Sequence, residues 1–320
     1  MYFIGSPSGD NLMVAGDGRA DMMCASRRVR SREADSDDSH APLLFCRRSR
    51  RAMTTARWPL VVRRRDIERD PRPAGGNFGS MTLLPVPVPP IVSRGLGIFC
   101  VNTADRVLAI TYDDGPHREH TPRILDELAR HGATATFFVL SRQAEKYPEI
   151  VRRIIAEGHE VGLHGRDHRS LLTFKTADAL AEIRSARAAV EAITGVPIVV
   201  YRPPYGEGTV LQGMAIPILG LDVVMWSGDA LDWLHDNEQR IAARAVSGVS
   251  EGGILLLHDD RGDPETLALD EAAPAFDRAL VTGLILDHLE LNRYRTTTVS
   301  GLVGSYQQVR STAKQRLSGR

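Results

Sequence analysis

The residues of this chain best suited to chemistry are two adjacent carboxylates, Asp113 and Asp114, in the run Thr111-Tyr112-Asp113-Asp114-Gly115-Pro116. They stand where an apolar run, Val107 to Ile110, meets a Gly-Pro turn. On a strand, neighbouring side chains point to opposite faces, but a turn lets both acids converge on one rim. Adjacent carboxylates repel, so they need a compensating cation or a division of labour between metal ligand and proton acceptor. Asp, Gly and Pro also favour turns for structural reasons alone, so the hexapeptide by itself equally fits a plain strand end.

Four further polar clusters each follow a short apolar run. His164-Gly165-Arg166-Asp167-His168 places two imidazoles at a spacing that lets both face one ion from a single turn. Beside a paired carboxylate they offer one oxygen and two nitrogen donors, a facial set that leaves positions open for water and substrate. Arg202 precedes Pro203-Pro204-Tyr205-Gly206, and a guanidinium on so rigid a backbone suits orienting a carboxylate. Trp226 and Trp233 flank Asp229 and Asp232; such rings usually fill cores, yet beside a polar cleft they also stack on sugars. His258 ends the run Gly253 to Leu257 and precedes Asp259; an acid such as Asp232 nearby would raise its pKa toward general-acid duty.

The elements that must position these clusters alternate from about residue 95 in a βα rhythm. Thr121-Pro122 reads as an N-cap and first helical position, with Ile124, Leu125 and Leu128 as the buried stripe and Gly132 as the stop. Thr134 to Leu140 reads as a strand. A second helix carries Ile150, Val151, Ile154 and Ile155 and stops at Gly158. A third runs from Thr176, with Leu180, Ile183, Val190 and Ile193, to Gly195. Short apolar runs at 161–163, 198–201, 223–226 and 254–257 supply strands, and 296–303 is expected to close the set. In a parallel βα barrel the positions after the strands share one face, where active sites are built.

The formal charge is zero, with Lys only at 146, 175 and 314, so electrostatics suggest neither nucleic acid nor an anionic membrane as partner. Three cysteines, Cys24, Cys46 and Cys100, show no metal spacing and no disulfide framework. No stretch reaches the roughly 20 apolar residues that span a bilayer, and no export signal is visible, so a cytoplasmic location is expected for the chain as written. Residues 1–80 alternate acidic, basic and Pro/Gly-rich stretches and are expected to be a disordered or non-native extension. Residues 81–91 should be an extended lead-in because of their prolines. The catalytic domain is placed at 81–305 and a polar, frayed tail at 306–320.

The five clusters, in order, resemble the polysaccharide deacetylases, the nodulation-protein-B homology domain of carbohydrate esterase family four. The family's motifs T-F-D-D-G-P, H-[ST]-x-x-H, R-x-P-[FY], D-x-x-D-W and L-x-H are matched at Thr111–Pro116, His164–His168, Arg202–Tyr205, Asp229–Trp233 and Leu256–His258. The resemblance implies an α/β fold, a distorted, incomplete (β/α) barrel of about seven parallel strands with its site at their C-terminal face. It implies that Asp114, His164 and His168 bind one divalent metal, zinc or else cobalt or another ion, and that Asp113, oriented by Arg202, is the base toward a metal-activated water. His258, tuned by Asp232, would be the acid; the Tyr205 backbone N–H would polarise the carbonyl, and Trp233 and Leu256 would wall the acetyl pocket. The implied substrate is an N-acetylated amino sugar in a glycan or glycoside. O-acetyl esters such as acetylated xylan, another non-peptide amide, and a non-catalytic carbohydrate-binding module are the alternatives. Two departures from the motifs, Gly165 for Ser/Thr and Tyr112 for Phe, remove no ligand or catalytic group.

Overall fold

The structure is a computed structural model that describes residues 58–62, 86–261 and 274–312. Its strands are β1 (Leu60–Val61), β2 (Val86–Pro87), β3 (Gly97–Asn102), β4 (Val107–Asp113), β5 (Ala135–Leu140), β6 (Glu160–Gly165), β7 (Val200–Tyr201), β8 (Asp222–Val223), β9 (Gly228–Asp229), β10 (Ile254–His258), β11 (Arg295–Thr296) and β12 (Gln307–Ser311). The helices are α1 (Pro90–Ser93), α2 (His120–Arg130), α3 (Ser141–Lys146), α4 (Pro148–Ala156), α5 (Thr176–Thr194), α6 (Val210–Ala215), α7 (Glu238–Ser247), α8 (Arg278–Leu291) and α9 (Val299–Ser305).

Seven strands pair in parallel in the order β8-β7-β6-β5-β4-β10-β9, and β11 pairs with the first residues of β4. The sheet curls into an incomplete (β/α) barrel. β3 makes single bridges to Val224, just past β8, and to Gly253, just before β10. Two apolar clusters hold the layers together. The larger includes Leu108, Ile110, Phe137, Leu163 and Leu255 against Ile124 and Leu128 of α2, Val151 and Ile154 of α4, Ile183 of α5 and Ile285 of α8. The smaller includes Val107, Ala109, Phe138, Val200 and Ile254 with Ile98 and Val101 of β3 and Val299 and Leu302 of α9. These side chains are almost wholly removed from water, and each buried Leu, Ile or Phe contributes about 1.5–3 kcal/mol.

The helices expected around Ile124, Ile150 and Ile183 form, and the last ends on Gly195 in the left-handed conformation, φ 68°. Several boundaries differ from expectation. Thr121 is inside α2, which starts one residue earlier with no side-chain cap; its hydroxyl is engaged elsewhere. The run 296–303 is chiefly α9, capped by Thr298 Oγ1, and only Thr296 pairs as strand. Of the run 223–226 only Val223 is strand, in β8, with Val224 in a single bridge, and β9 follows at Gly228–Asp229, so Asp229 lies in a strand rather than after one. Pro90 opens the one-turn helix α1, where its missing N–H costs nothing.

The domain limits also move. Gln307–Ser311, expected to fray, pairs antiparallel with β3 and parallel with β1. Leu60–Val61, expected to lie in the extension, completes that second sheet of order β2-β1-β12-β3. The buried Arg310 fixes β12 by donating to the carbonyls of Ser93, Arg94 and Leu96 and pairing with Asp222 at 2.9 Å. Residues 1–57, 63–85 and 313–320 lie outside the described residues, and with them Cys24 and Cys46. Cys100 is a free thiol whose pKa burial pushes up to about 12. No helix among the described residues is long and apolar enough to cross a membrane.

Candidate active site

Strand parity selects which side chains reach the concave face. On β4, Leu108, Ile110 and Tyr112 face the helices, while Val107 and Ala109 face inward, so Thr111 and Asp113 continue the inner row. The same alternation aligns His164 with Gly162 on β6, His258 with Ile254 and Leu256 on β10, and Arg202 with Val200 past β7. Asp114 would point outward by this rule. Its backbone takes φ 80°, the left-handed region, which returns its carboxylate to the inner rim. His168 and Tyr205 also have positive φ, 58° and 59°, so three loop residues at this rim adopt conformations that only surrounding contacts can maintain. Gly165, where the resemblance favours a hydroxyl residue, has φ 115° at a register shift of β6 against β5, a conformation that suits glycine.

The donor set expected for a metal converges. Asp114 Oδ1 lies 3.3 Å from Nε2 of both His164 and His168, and all three residues are buried. The three ligand atoms lie within 4.8 Å of one another. His164 Nδ1 is 2.8 Å from the Arg202 carbonyl, which can only accept, so Nδ1 carries the proton and Nε2 keeps its lone pair for an ion. Without an ion, burial works to raise the Asp114 pKa, but His164, His168 and His258 in their protonated forms hold it well below the usual carboxylate range. Burial lowers that of His164, yet Asp113 and Asp114 prevail and raise it. Two imidazoles and a carboxylate in a negative surrounding fit a divalent cation with open positions.

Asp113 is held apart from this set by a cation of its own. Arg202, wholly buried, donates through Nη1 to Asp113 Oδ1 at 2.7 Å and to Thr111 Oγ1 at 2.8 Å. Its Nη2 donates to the Met225 carbonyl, and its guanidinium sits 4.2 Å over the Phe138 ring. Asp113 Oδ2 is 3.7 Å from His164 Nε2. The repulsion between neighbouring acids is thus answered by the two histidines on one and a guanidinium on the other.

Across the cleft, Asp232 grips His258 twice, Oδ1 to Nδ1 at 2.6 Å and Oδ2 to the backbone N–H at 2.9 Å. Burial would lower the His258 pKa from 6.5, but the Asp232 charge and hydrogen bond outweigh it and push it up to about 10. A cleft of about 430 Å³ is lined by Asp113, Asp114, His164, His168, Tyr205, Trp226, Asp229, Asp232, Trp233, Leu256 and His258. Arg202, wholly buried, is not among the lining residues. Trp233 and Tyr205 are exposed at the rim, whereas Leu256 is buried in the wall. The Tyr205 ring packs edge-on to His168 at 4.4 Å between centroids.

Sequence reasoning assigned no role to Arg278 or Asp259. Arg278 Nη1 donates to the His258 carbonyl at 3.1 Å and lies 3.7 Å from Asp232 Oδ2. It opens α8, far from every motif, and nothing local marks it. Asp259 is buried beneath the Asp113–Gly115 turn; burial, with the charges of Asp260 and Asp114, pushes its pKa up to about 7 against the Thr121 hydrogen bond. Its adjacency to His258 was the available signal.

In sequence and fold the chain is similar to known carbohydrate deacetylases. The sequence profile described as Polysaccharide deacetylase matches residues 101–222, ahead of the Asp229–Trp233 and Leu256–His258 clusters. The chain is 37% identical over 152 residues to a peptidoglycan-N-acetylglucosamine deacetylase of Listeria monocytogenes, covering 48% of this chain but only 32% of that protein. It is 36% identical over 155 residues to a chitooligosaccharide deacetylase of Bradyrhizobium sp., covering 48% of this chain and 71% of the relative. The solved peptidoglycan deacetylase PdaC of Bacillus subtilis superposes with a TM-score of 0.54 at 31% identity, covering 63% of this chain and 92% of that one.

Proposed function

The chain belongs to the polysaccharide deacetylase family, and on that premise we propose that it removes N-acetyl groups from amino sugars of a glycan or glycoside. The observation that carries the reading is the meeting of an Asp114-His164-His168 donor set, an Arg202-held Asp113 and an Asp232-held His258 in one cleft. The ion would be held by Asp114, His164 and His168, with zinc the first candidate and cobalt the second. When bound, a divalent ion polarises the acetyl carbonyl and makes water acidic enough to attack near neutral pH.

The chain's own residues supply the rest. Asp113 takes a proton from the attacking water, and Arg202 keeps that carboxylate aimed. The water oxygen bonds to the acetyl carbon. The Tyr205 backbone N–H, presented by the left-handed turn, is suited to the charge that develops on the carbonyl oxygen. As the C–N bond breaks, His258 gives its proton to the nitrogen, because amines leave poorly unless protonated. Acetate and a free amino sugar are the products. Leu256 and Trp233 wall the methyl group, and Tyr205 and Trp233 offer exposed ring faces to the sugar.

Acetate release by the zinc- or cobalt-loaded protein from N-acetylglucosamine oligomers, small N-acetylglucosaminides and acetylated xylan tests the reading. Release from the N-acetylated sugars is expected. Release from xylan alone would replace it with ester hydrolysis, and release from none would refute it.

A further inference from the structure

We propose that Asp259 is a positioning residue for the Asp113–Asp114 pair, acting through a clamp that it forms with Thr121; this rests on the deacetylase reading above. Asp259 is buried, does not line the cleft and takes no part in the proton transfers. A carboxyl group in such a place is costly unless its contacts do something. Its Oδ1 has no hydrogen-bond partner among the described residues, so the side chain's hydrogen bonding there runs through Oδ2 to Thr121.

What it touches is the Asp113–His117 turn, directly at Asp113 and Gly115 and through Thr121 at His117. The Asp259 N–H donates to the Asp113 carbonyl at 3.2 Å. Its Oδ2 accepts from Thr121 Oγ1 at 2.5 Å, and that same hydroxyl accepts from the His117 N–H at 2.7 Å. Between these ties, Gly115 lies so close that a Cβ there would overlap the Asp259 carboxylate. The Gly115 carbonyl accepts from Leu140 N–H at 3.0 Å, which fixes the turn from the β5 side. Asp114 sits inside this frame at φ 80°, a conformation that strains a non-glycine residue and relaxes when its surroundings let go. Loosening the clamp therefore lets the Asp114 carboxylate turn away from His164 and His168.

The test is Co²⁺ titration of the metal-free protein, followed by its visible absorption, with kcat and KM then measured at saturating Co²⁺. Thr121→Val and Asp259→Ala are each expected to weaken Co²⁺ binding by about 10- to 100-fold. Thr121→Ser and Asp259→Asn, which keep a hydroxyl and an accepting oxygen, should stay within about threefold of the unsubstituted protein. The Val/Ala double variant should lose little more than the weaker single, because both act through one contact. At saturating Co²⁺ the clamp variants should lose kcat with KM unchanged. Thr121→Val, close to isosteric, covers the case in which Asp259→Ala does not fold. A folded Thr121→Val with unsubstituted affinity and kcat would overturn the clamp. Unsubstituted protein that binds Co²⁺ yet releases no acetate would sink the deacetylase reading while the affinities still judge the clamp, and protein that binds no Co²⁺ would overturn both.

Discussion

Replacing Asp232 by Asn should move the alkaline limb of the pH–rate profile, and the size of the move follows from the site. In the folded protein His258 is pushed up from 6.5 to about 10 by the Asp232 carboxylate at 2.6 Å, with help from Asp114 and Asp113 across the cleft. Asn keeps the hydrogen bond but removes the nearest negative charge, while burial and Arg278, which donates to the His258 carbonyl, continue to favour the neutral ring. The His258 pKa should then fall to 6.5 or below, a separation of about 3.5 pH units or more. A bound dication lowers both values together, so the separation is the quantity predicted. About 1.5 pH units above the variant's own pKa roughly one acid in thirty stays protonated, so kcat should drop about 30-fold there while the unsubstituted protein is still protonated, with little change below both pKa values. Stability carries the same sign. A histidine whose folded pKa is raised contributes fully below its unfolded pKa near 6.5 and loses that contribution as pH climbs toward 10. The difference in unfolding free energy between the two metal-free proteins should be largest at pH 6, with a ceiling of about 5 kcal/mol, and shrink toward pH 10. Parallel profiles with a uniform loss at every pH would refute the assignment of His258 as the acid tuned by Asp232.

Asp113→Asn should lower kcat by about 10²–10⁴-fold while metal content by atomic absorption stays near that of the unsubstituted protein, since Asp113 is spared from the donor set. His164→Ala should lose both activity and the ion, seen as at least a hundredfold weaker Zn²⁺ binding by competition with a chromophoric chelator, to about that order. Arg202→Met leaves the buried Asp113 carboxylate without its guanidinium and should cost about 3–5 kcal/mol in urea unfolding at pH 7.

The catalytic face was legible because strand alternation is strict. Asp113, His164 and His258 each stand at the end of an apolar run, and parity alone puts them on one side. Asp114 escaped that rule, because the left-handed turn that brings it round depends on tertiary contacts rather than on local sequence. The second sheet was illegible for a related reason. Gln307–Ser311 is polar and reads as solvent-exposed, but it becomes a strand once Arg310 finds the carbonyls of Ser93, Arg94 and Leu96 and the carboxylate of Asp222. Val299–Ser305 has strand-like composition, yet Thr298 caps it as a helix that closes the smaller apolar cluster with Val299 and Leu302. Thr121 carried a sound capping signal that a stronger tertiary partner, Asp259, overrode. Two-residue strands such as β8 and β9 are too short to leave a period of two in the chain.

The central claim, that an ion held by Asp114, His164 and His168 makes this cleft a hydrolase, is tested most directly by acetate release from an N-acetylglucosamine oligomer before chelation, after it, and after Zn²⁺ is restored. The account predicts release that disappears on chelation and returns with stoichiometric Zn²⁺ in the unsubstituted protein but not in His164→Ala. Acetate release that survives complete removal of the metal would contradict it.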